Sequence, residues 1–212
     1  YPLPMRHWLS LTDTLFAHLP AQHRSHLRLM SRALADVRVL GDLLRGAEDF
    51  RYPGIWQLPS RLPWSPHIIH CHNLHGRYFD LRALPMLSSL APMMITLHDA
   101  WLLSGHCAHS LDCQRWATGC GHCPDLSLYP AVLRDGTARN WRIKQALCAQ
   151  CRPFIVTPCQ WLMEKVQRSH LAASACGTAV IPNGIDTSYF HPGDKLSVRS
   201  QLNLPHTAPI LL

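Results

Sequence analysis

The chain has 212 residues, of which 47% are hydrophobic and 16% charged, and its formal net charge is +7. This composition excludes a disordered segment and predicts a folded protein with a large core. No apolar run reaches the ~20 residues needed to span a bilayer, and the first residues lack the pattern of a secretory signal. The basic residues are scattered along the sequence, so nucleic acid is not an expected partner.

The predicted elements begin with one or two helices between Ala21 and Leu44, followed by an irregular, proline-rich connection from Phe50 to Pro66. Strands and helices alternate after that. The predicted strands cover residues 67–72, 93–97, 154–157, 178–181 and 208–212, and the predicted helices cover residues 81–90, 138–150, 160–169 and 197–202. This alternation indicates βαβ units, and therefore an α/β fold with a Rossmann-like parallel sheet and helices on both faces.

Polar residues follow two of the predicted strands. His70 and His72 alternate along the first strand and therefore share a face, and Asn73 begins the loop after it. His98 and Asp99 follow the second strand, where Asp99 is expected to orient the His98 ring. Ligands of parallel α/β sheets bind beyond the carboxyl ends of the strands, so we predict that these two strands end side by side and share a ligand cleft. The alternative is a histidine-rich strand end that only bonds to its neighbours.

Cysteines are concentrated in one segment. Cys107, Cys113, Cys120 and Cys123 fall within 17 residues, while the other five of the nine are scattered. The odd total and uneven distribution argue against a secreted disulfide scaffold and favour a reduced, cytosolic setting. The segment contains a single Cys-x2-Cys, whereas a zinc ribbon has two. A structural zinc ion, a buried thiol cluster and two disulfides are therefore all compatible with the spacing.

Several segments, in this order and spacing, resemble retaining glycosyltransferases of family 4, which have the GT-B fold. They are His72-Asn73, the segment from Thr96 to Asp99, the segment from Thr157 to Leu162, and the segment from Ile181 to Asp186. The Cys-rich segment, with Gly105-His106 at its start and Cys123-Pro124 at its end, resembles the bacterial subgroup that builds exopolysaccharide, colanic-acid-like or O-antigen chains. The resemblance covers roughly residues 47 to 212.

This resemblance implies transfer of a sugar, with retention, from a nucleotide-sugar donor to a growing glycan or lipid-linked glycan. His98 matches the histidine near the reacting centre and is the candidate catalytic residue. The acceptor pocket would be shaped by His72, Asn73, Asp99 and Trp101. Asn183 and Gly184 match the crossing towards the donor side. Cys159 replaces the usual serine and is expected to cap the helix that follows it.

The resemblance also implies a domain organisation. Residues 1–186 would form the acceptor-side domain, incomplete at its start, with a Cys-rich insertion at residues 104–125. Residues 187–212 would form a linker and the first elements of the donor-binding domain. The family's paired glutamates and diphosphate-binding basic residues belong to that second domain, so the chain is expected to be a fragment that is inactive alone.

Catalysis in this family needs no cofactor, which leaves the structural zinc as the one predicted metal. The expected location is the cytoplasm, at the inner face of the membrane with peripheral association. A non-catalytic, zinc-dependent binding module, in which the Cys-rich segment is the functional part, is the competing hypothesis.

Overall fold

The computed structural model describes residues 37–210 except residues 49 and 77. The helices predicted between Ala21 and Leu44 are therefore described only over α1, Val37–Leu44. The chain divides into two compact units after Ile181.

The first unit contains a parallel four-stranded sheet in the order β1-β2-β3-β4. The strands are β1, Ile69–His72; β2, Met93–Thr96; β3, Phe154–Thr157; and β4, Gly177–Val180. Ile95 in β2 pairs with Cys71 and with Ile155, and all three side chains are buried. The alternating sequence texture thus predicted the fold class correctly.

Helices flank this sheet. They are α2, Leu58–Arg61; α3, Leu84–Ser88; α4, Thr137–Cys151; α5, Gln160–Gln167; and α6, His170–Ser174. Single 3-10 turns cover Pro53–Gln57, Leu81–Ala83, Trp101–Leu103 and Arg115–Ala117. The proline-rich connection predicted as irregular therefore contains one 3-10 turn and α2.

Two predicted helices differ from the structure because of local caps. The helix predicted at residues 81–90 begins as the 3-10 turn, where Asp80 accepts from the backbone N–H of Arg82, and only then becomes α3. The helix predicted at residues 160–169 ends at Gln167, and Ser169 caps a separate helix, α6, by accepting from the N–H of Leu171. Side-chain caps of this kind fix where a helix starts.

The end of α1 and the start of α4 are joined by a crossing of two backbones. Gly46 has φ of +64°, and a Cβ there would overlap the carbonyl group of Arg134. A Cβ at Gly136 would in turn overlap the carbonyl of Gly46. Asn140 in α4 donates to the Gly46 carbonyl at 3.0 Å and closes the contact. Only glycine allows two main chains to approach this closely.

The second unit, considered by itself, contains one helix among its described residues. This is α7, Lys195–Gln201, where the side chain of Asp194 accepts from the N–H of Ser197. Asn183 and Gly184 lie in this unit and are exposed. The strand predicted from residue 208 does not form over residues 208–210, which have no regular structure, and residues 211 and 212 lie outside the described residues.

Candidate active site

The carboxyl ends of β1 and β2 carry a cluster of imidazoles that we call the histidine edge: His70, His72, His75 and His98. The parallel register places His72 opposite Thr96, so the loops after both strands start side by side. His72 Nδ1 lies 3.0 Å from His98 Nε2, and the two rings stack with centroids 5.3 Å apart. The prediction that these two strands end as neighbours is confirmed.

Alternation along β1 accounts for the rest of this cluster. His70 and His72 share a face, with ring centroids 4.1 Å apart, whereas Cys71 points into the core. His70 Nε2 lies 2.8 Å from the Thr96 hydroxyl on the neighbouring strand. This contact agrees with the alternative hypothesis, in which the histidine-rich strand end bonds to its neighbours.

The contact between His72 Nδ1 and His98 Nε2 has room for at most one proton between the two nitrogens. An N–H···N contact needs one donating and one accepting nitrogen, so at least one ring is neutral. Partial desolvation lowers the pKa of His72, and the nearby His70 and His98 rings lower it further. Both rings are nevertheless exposed to solvent and are therefore accessible to a ligand.

Asp99 makes no hydrogen bond to the His98 ring, so the prediction that it orients this ring by direct contact is wrong. Its Oδ2 lies 2.7 Å from His75 Nε2, and its Oδ1 accepts from the backbone N–H of Trp101 at 2.8 Å. The Asp99 side chain instead accepts from the N–H of Trp101, the first residue of the following 3-10 turn. The imidazole that contacts Asp99 is therefore that of His75, three residues after the end of β1, instead of the expected His98.

An open cleft of about 260 Å³ lies between these two loops. It is lined by residues 73–75, residues 95–99, Trp101 and Leu102. Asn73 has φ of +43°, a conformation that asparagine tolerates better than most residues. The Tyr78 hydroxyl donates towards the carbonyls of His72 (3.0 Å) and Asn73 (2.9 Å) and fixes this turn.

A buried ion pair supports the cleft from beneath. Lys144 Nζ lies 2.6 Å from Glu48 Oε2 and donates to the carbonyls of Trp101 (2.9 Å) and Ser104 (3.1 Å). Lys144 is also 3.8 Å from the centre of the Trp101 ring, whose indole N–H donates to Glu48. Burial raises the pKa of Glu48 and lowers that of Lys144, and each charge opposes the shift of the other.

Trp101 is therefore mainly a packing residue. It is 3% exposed, and its ring is held by Glu48 and Lys144. It lines the cleft, so an edge contact with a substrate stays a prediction.

Comparison with known proteins identifies the family of this chain. The profile of Glycosyltransferase Family 4 matches residues 14–189, which is most of the sequence. The chain belongs to glycosyltransferase family 4. Its cleft at the ends of β1 and β2 therefore belongs to a glycosyltransferase domain.

One curated relative of this family 4 chain is the putative colanic acid biosynthesis glycosyl transferase WcaC of Escherichia coli strain K12. The two are 29% identical over 132 residues, which are 58% of this chain and 32% of that protein. The match thus covers about a third of the length of the relative. No solved structure gives a significant match.

The family 4 domain carries a second cavity, of about 300 Å³, in the Cys-rich loop, residues 104–125. All four predicted zinc ligands line it: Cys107, Cys113, Cys120 and Cys123. Among residues 37–210, however, no three His, Cys, Asp or Glu side chains are placed to hold a metal ion. All nine cysteines are free thiols, and burial raises the pKa of Cys120 to about 11. The zinc site stays a prediction.

Hydrogen bonds to the backbone hold the Cys-rich loop. Cys120 Sγ accepts from the N–H of Gly105 at 3.1 Å, and the Ser104 hydroxyl donates to the Cys107 carbonyl at 2.6 Å. The carbonyl of Pro130 can only accept, so His106 donates to it through Nδ1, at 2.9 Å. His106 Nε2 then faces the sulfur of Cys123 at 3.4 Å.

Other predictions at this end of the sheet have mixed outcomes. Cys159 occupies the N-cap position of α5, but its side chain makes no capping hydrogen bond, because a thiol is a weak acceptor.

Across the described part of the chain, no helix combines the length and apolarity needed to cross a bilayer. The competing hypothesis of a zinc-dependent module gains no support, since the family profile spans the Cys-rich loop.

Sequence reasoning missed three residues of this site: His75, Glu48 and Lys144. A lysine within a predicted helix normally faces water, so the burial of Lys144 was not expected. Glu48 lies in a connecting segment whose hydrophobic residues show neither helical nor strand periodicity. The one available signal was the spacing of His72, the last residue of the predicted strand, and His75, three residues later.

Proposed function

We propose that this chain forms the acceptor side of a GT-B glycosyltransferase that moves a sugar from a nucleotide-sugar donor to a growing glycan in bacterial polysaccharide biosynthesis. The observation that carries the proposal is the cleft at the carboxyl ends of β1 and β2, which is lined by His98, whose ring contacts His72 at 3.0 Å. Ligands of parallel sheets bind at such edges. The similarity to the colanic acid enzyme favours an exopolysaccharide or lipid-linked glycan as acceptor.

Within this proposal, His98 is the residue nearest the reacting centre. An exposed imidazole on a rigid strand end can accept or donate a hydrogen bond at a sugar hydroxyl, and that bond strengthens as charge develops in the transition state. His72 holds the His98 ring through the shared proton. Asn73 and Asp99 shape the acceptor pocket, with Trp101 beneath them.

We also propose that Asn183 and Gly184 face the nucleotide sugar in the complete enzyme, because the family resemblance assigns them to the crossing towards the donor side. The reaction is proposed to retain the anomeric configuration and to need no cofactor. The enzyme would work at the cytoplasmic face of the membrane, where lipid-linked acceptors are built, and scattered basic residues would favour an anionic surface.

The proposal is tested with the complete protein, a panel of radiolabelled nucleotide sugars, and a membrane extract of the source cells as acceptor. Incorporation of label from one nucleotide sugar, lost in the His98→Ala variant, is expected. Absence of incorporation from every donor by a folded protein would contradict the proposal. The anomeric proton coupling of the product, measured by NMR, tests retention separately.

A further inference from the structure

His75 and Asp99 form a contact that the proposed catalytic role of His98 does not use. The two side chains meet at 2.7 Å and are 13% and 28% exposed. The His75 ring is packed against Trp101, with centroids 5.4 Å apart, and against Tyr129, at 5.7 Å. The contact is thus enclosed by aromatic rings next to the cleft.

The hydrogen bonding fixes which nitrogen of His75 carries a proton. A carboxylate can only accept, so His75 Nε2 donates to Asp99. His75 Nδ1 is buried and has no hydrogen-bond partner among the described residues. His75 therefore acts on Asp99 as a donor through Nε2, and its ring is held in place by packing.

Asp99 passes this constraint to the backbone that carries His98. Its other oxygen accepts from the N–H of Trp101, which closes the turn between β2 and the following 3-10 helix. His98 directly precedes Asp99, and its ring contacts His72. The loop after β2 is consequently attached to the loop after β1 at two points, His72–His98 and His75–Asp99.

We propose that His75 is a positioning residue that holds Asp99, and through it the turn that aims the His98 imidazole into the cleft. This inference rests on the proposed function, because it assumes that His98 meets the acceptor there. A displacement of about 1 Å in such a group can lower a rate by about 10²-fold.

Two substitutions of His75 in the complete protein separate positioning from packing. His75→Phe keeps a ring between Trp101 and Tyr129 but removes the N–H donor. His75→Gln keeps an N–H that can reach Asp99. We expect H75F to lower kcat by about tenfold or more with the KM for the donor unchanged, and H75Q to stay within about threefold of wild type.

A second measurement needs no substrate. The pKa of His72 can be followed by NMR of the imidazole protons. Desolvation lowers this pKa, and the nearby His70 and His98 rings lower it further. Release of His98 in H75F should move the pKa of His72 upwards, whereas H75Q should leave it unchanged. The control is His109→Ala. His109 is an exposed histidine of the Cys-rich loop that stacks on Trp161 of α5, so its removal should change neither kcat nor the pKa of His72.

Equal behaviour of H75F and H75Q in both measurements would overturn the inference. If H75F does not fold, Asp99→Asn replaces it: the amide oxygen keeps the bond from Trp101 and the amide NH2 faces His75, so the bond that His75 donates is lost. Wild-type kcat and His72 pKa in folded D99N would also overturn the inference. If no variant transfers sugar, the proposed function fails, while the His72 measurement still tests the positioning.

Discussion

The histidine edge and the Cys-rich loop both contain residues that follow β2, but their polar side chains have different partners. At the histidine edge, side chains contact side chains: His72 with His98, and His75 with Asp99. In the Cys-rich loop, the shorter side-chain bonds go to the backbone, as from His106 to the Pro130 carbonyl and from the Gly105 N–H to Cys120. Bonds to the backbone fix the path of the chain, whereas an exposed side-chain pair such as His72–His98 can be exchanged for a ligand. This difference predicts that changes in the first region affect activity and changes in the second affect stability.

The largest effect is expected from Lys144→Met, beneath the start of the Cys-rich loop. The substitution leaves Glu48 buried without its partner and removes the bonds to two carbonyls. We expect the free energy of unfolding, measured by urea denaturation, to fall by about 3–5 kcal/mol. Adding Glu48→Gln should recover part of this loss, because the buried charge is then gone.

The control for that prediction is Lys195→Met, the same substitution at an exposed position in α7. It should change the free energy of unfolding by no more than about 0.5 kcal/mol. A comparable loss in both variants would contradict the view that the buried ion pair supports this region.

The next effect concerns activity. His98→Ala in the complete enzyme should lower turnover by about 10²-fold or more, which corresponds to about 2.7 kcal/mol of transition-state stabilisation. Folding should survive, because His98 is exposed and contributes little packing. Near-normal turnover in a folded variant would make His98 a structural residue and would remove the functional half of the comparison.

A smaller effect is expected from pH at His170, a buried histidine in α6. Burial lowers its pKa to about 4, and Nε2 lies 3.1 Å from the Leu102 carbonyl. The unfolded chain takes up this proton near pH 6.5 and the folded chain does not. The stabilisation is therefore complete above pH 6.5 and is lost as the pH falls towards 4, by about 2 kcal/mol at pH 5.

Urea denaturation of wild type and His170→Gln between pH 8 and pH 5 measures this loss. The variant should lack that part of the pH dependence, and His191→Gln, an exposed control, should keep it. Parallel curves for wild type and H170Q would show that His170 does not contribute.

The smallest effect is expected from Cys120→Ser in the Cys-rich loop. A hydroxyl can still accept from the Gly105 N–H, so hydrogen bonding alone predicts a loss of about 1 kcal/mol or less. Metal analysis of the same samples tests the predicted zinc. One zinc per wild-type chain, lost in the variant, would confirm a site, and a metal-free, folded wild type would show the zinc prediction wrong.

The sequence predicted the sheet and the neighbouring strand ends because both follow from local periodicity and from the geometry of parallel strands. It missed the partners of Asp99 and the burial of Lys144 because these depend on how a loop and a helix pack in three dimensions. On α4, Thr137, Asn140 and Lys144 are all buried, so polar residues interrupt the apolar pattern of the inner face. A polar side chain satisfied by a distant carbonyl has no local signature.

The crossing of Gly46 and Gly136 has a consequence for mutational libraries. Neither position has room for any side chain, and a larger residue at one cannot be compensated at the other, because main-chain atoms collide. Among the described residues, a Cβ at Gly41 or Gly54 would meet nothing within 4 Å, so both positions should accept many residues. A saturation library selected only for soluble expression would therefore return glycine alone at residues 46 and 136. Such a selection would detect the crossing without a substrate or an activity assay.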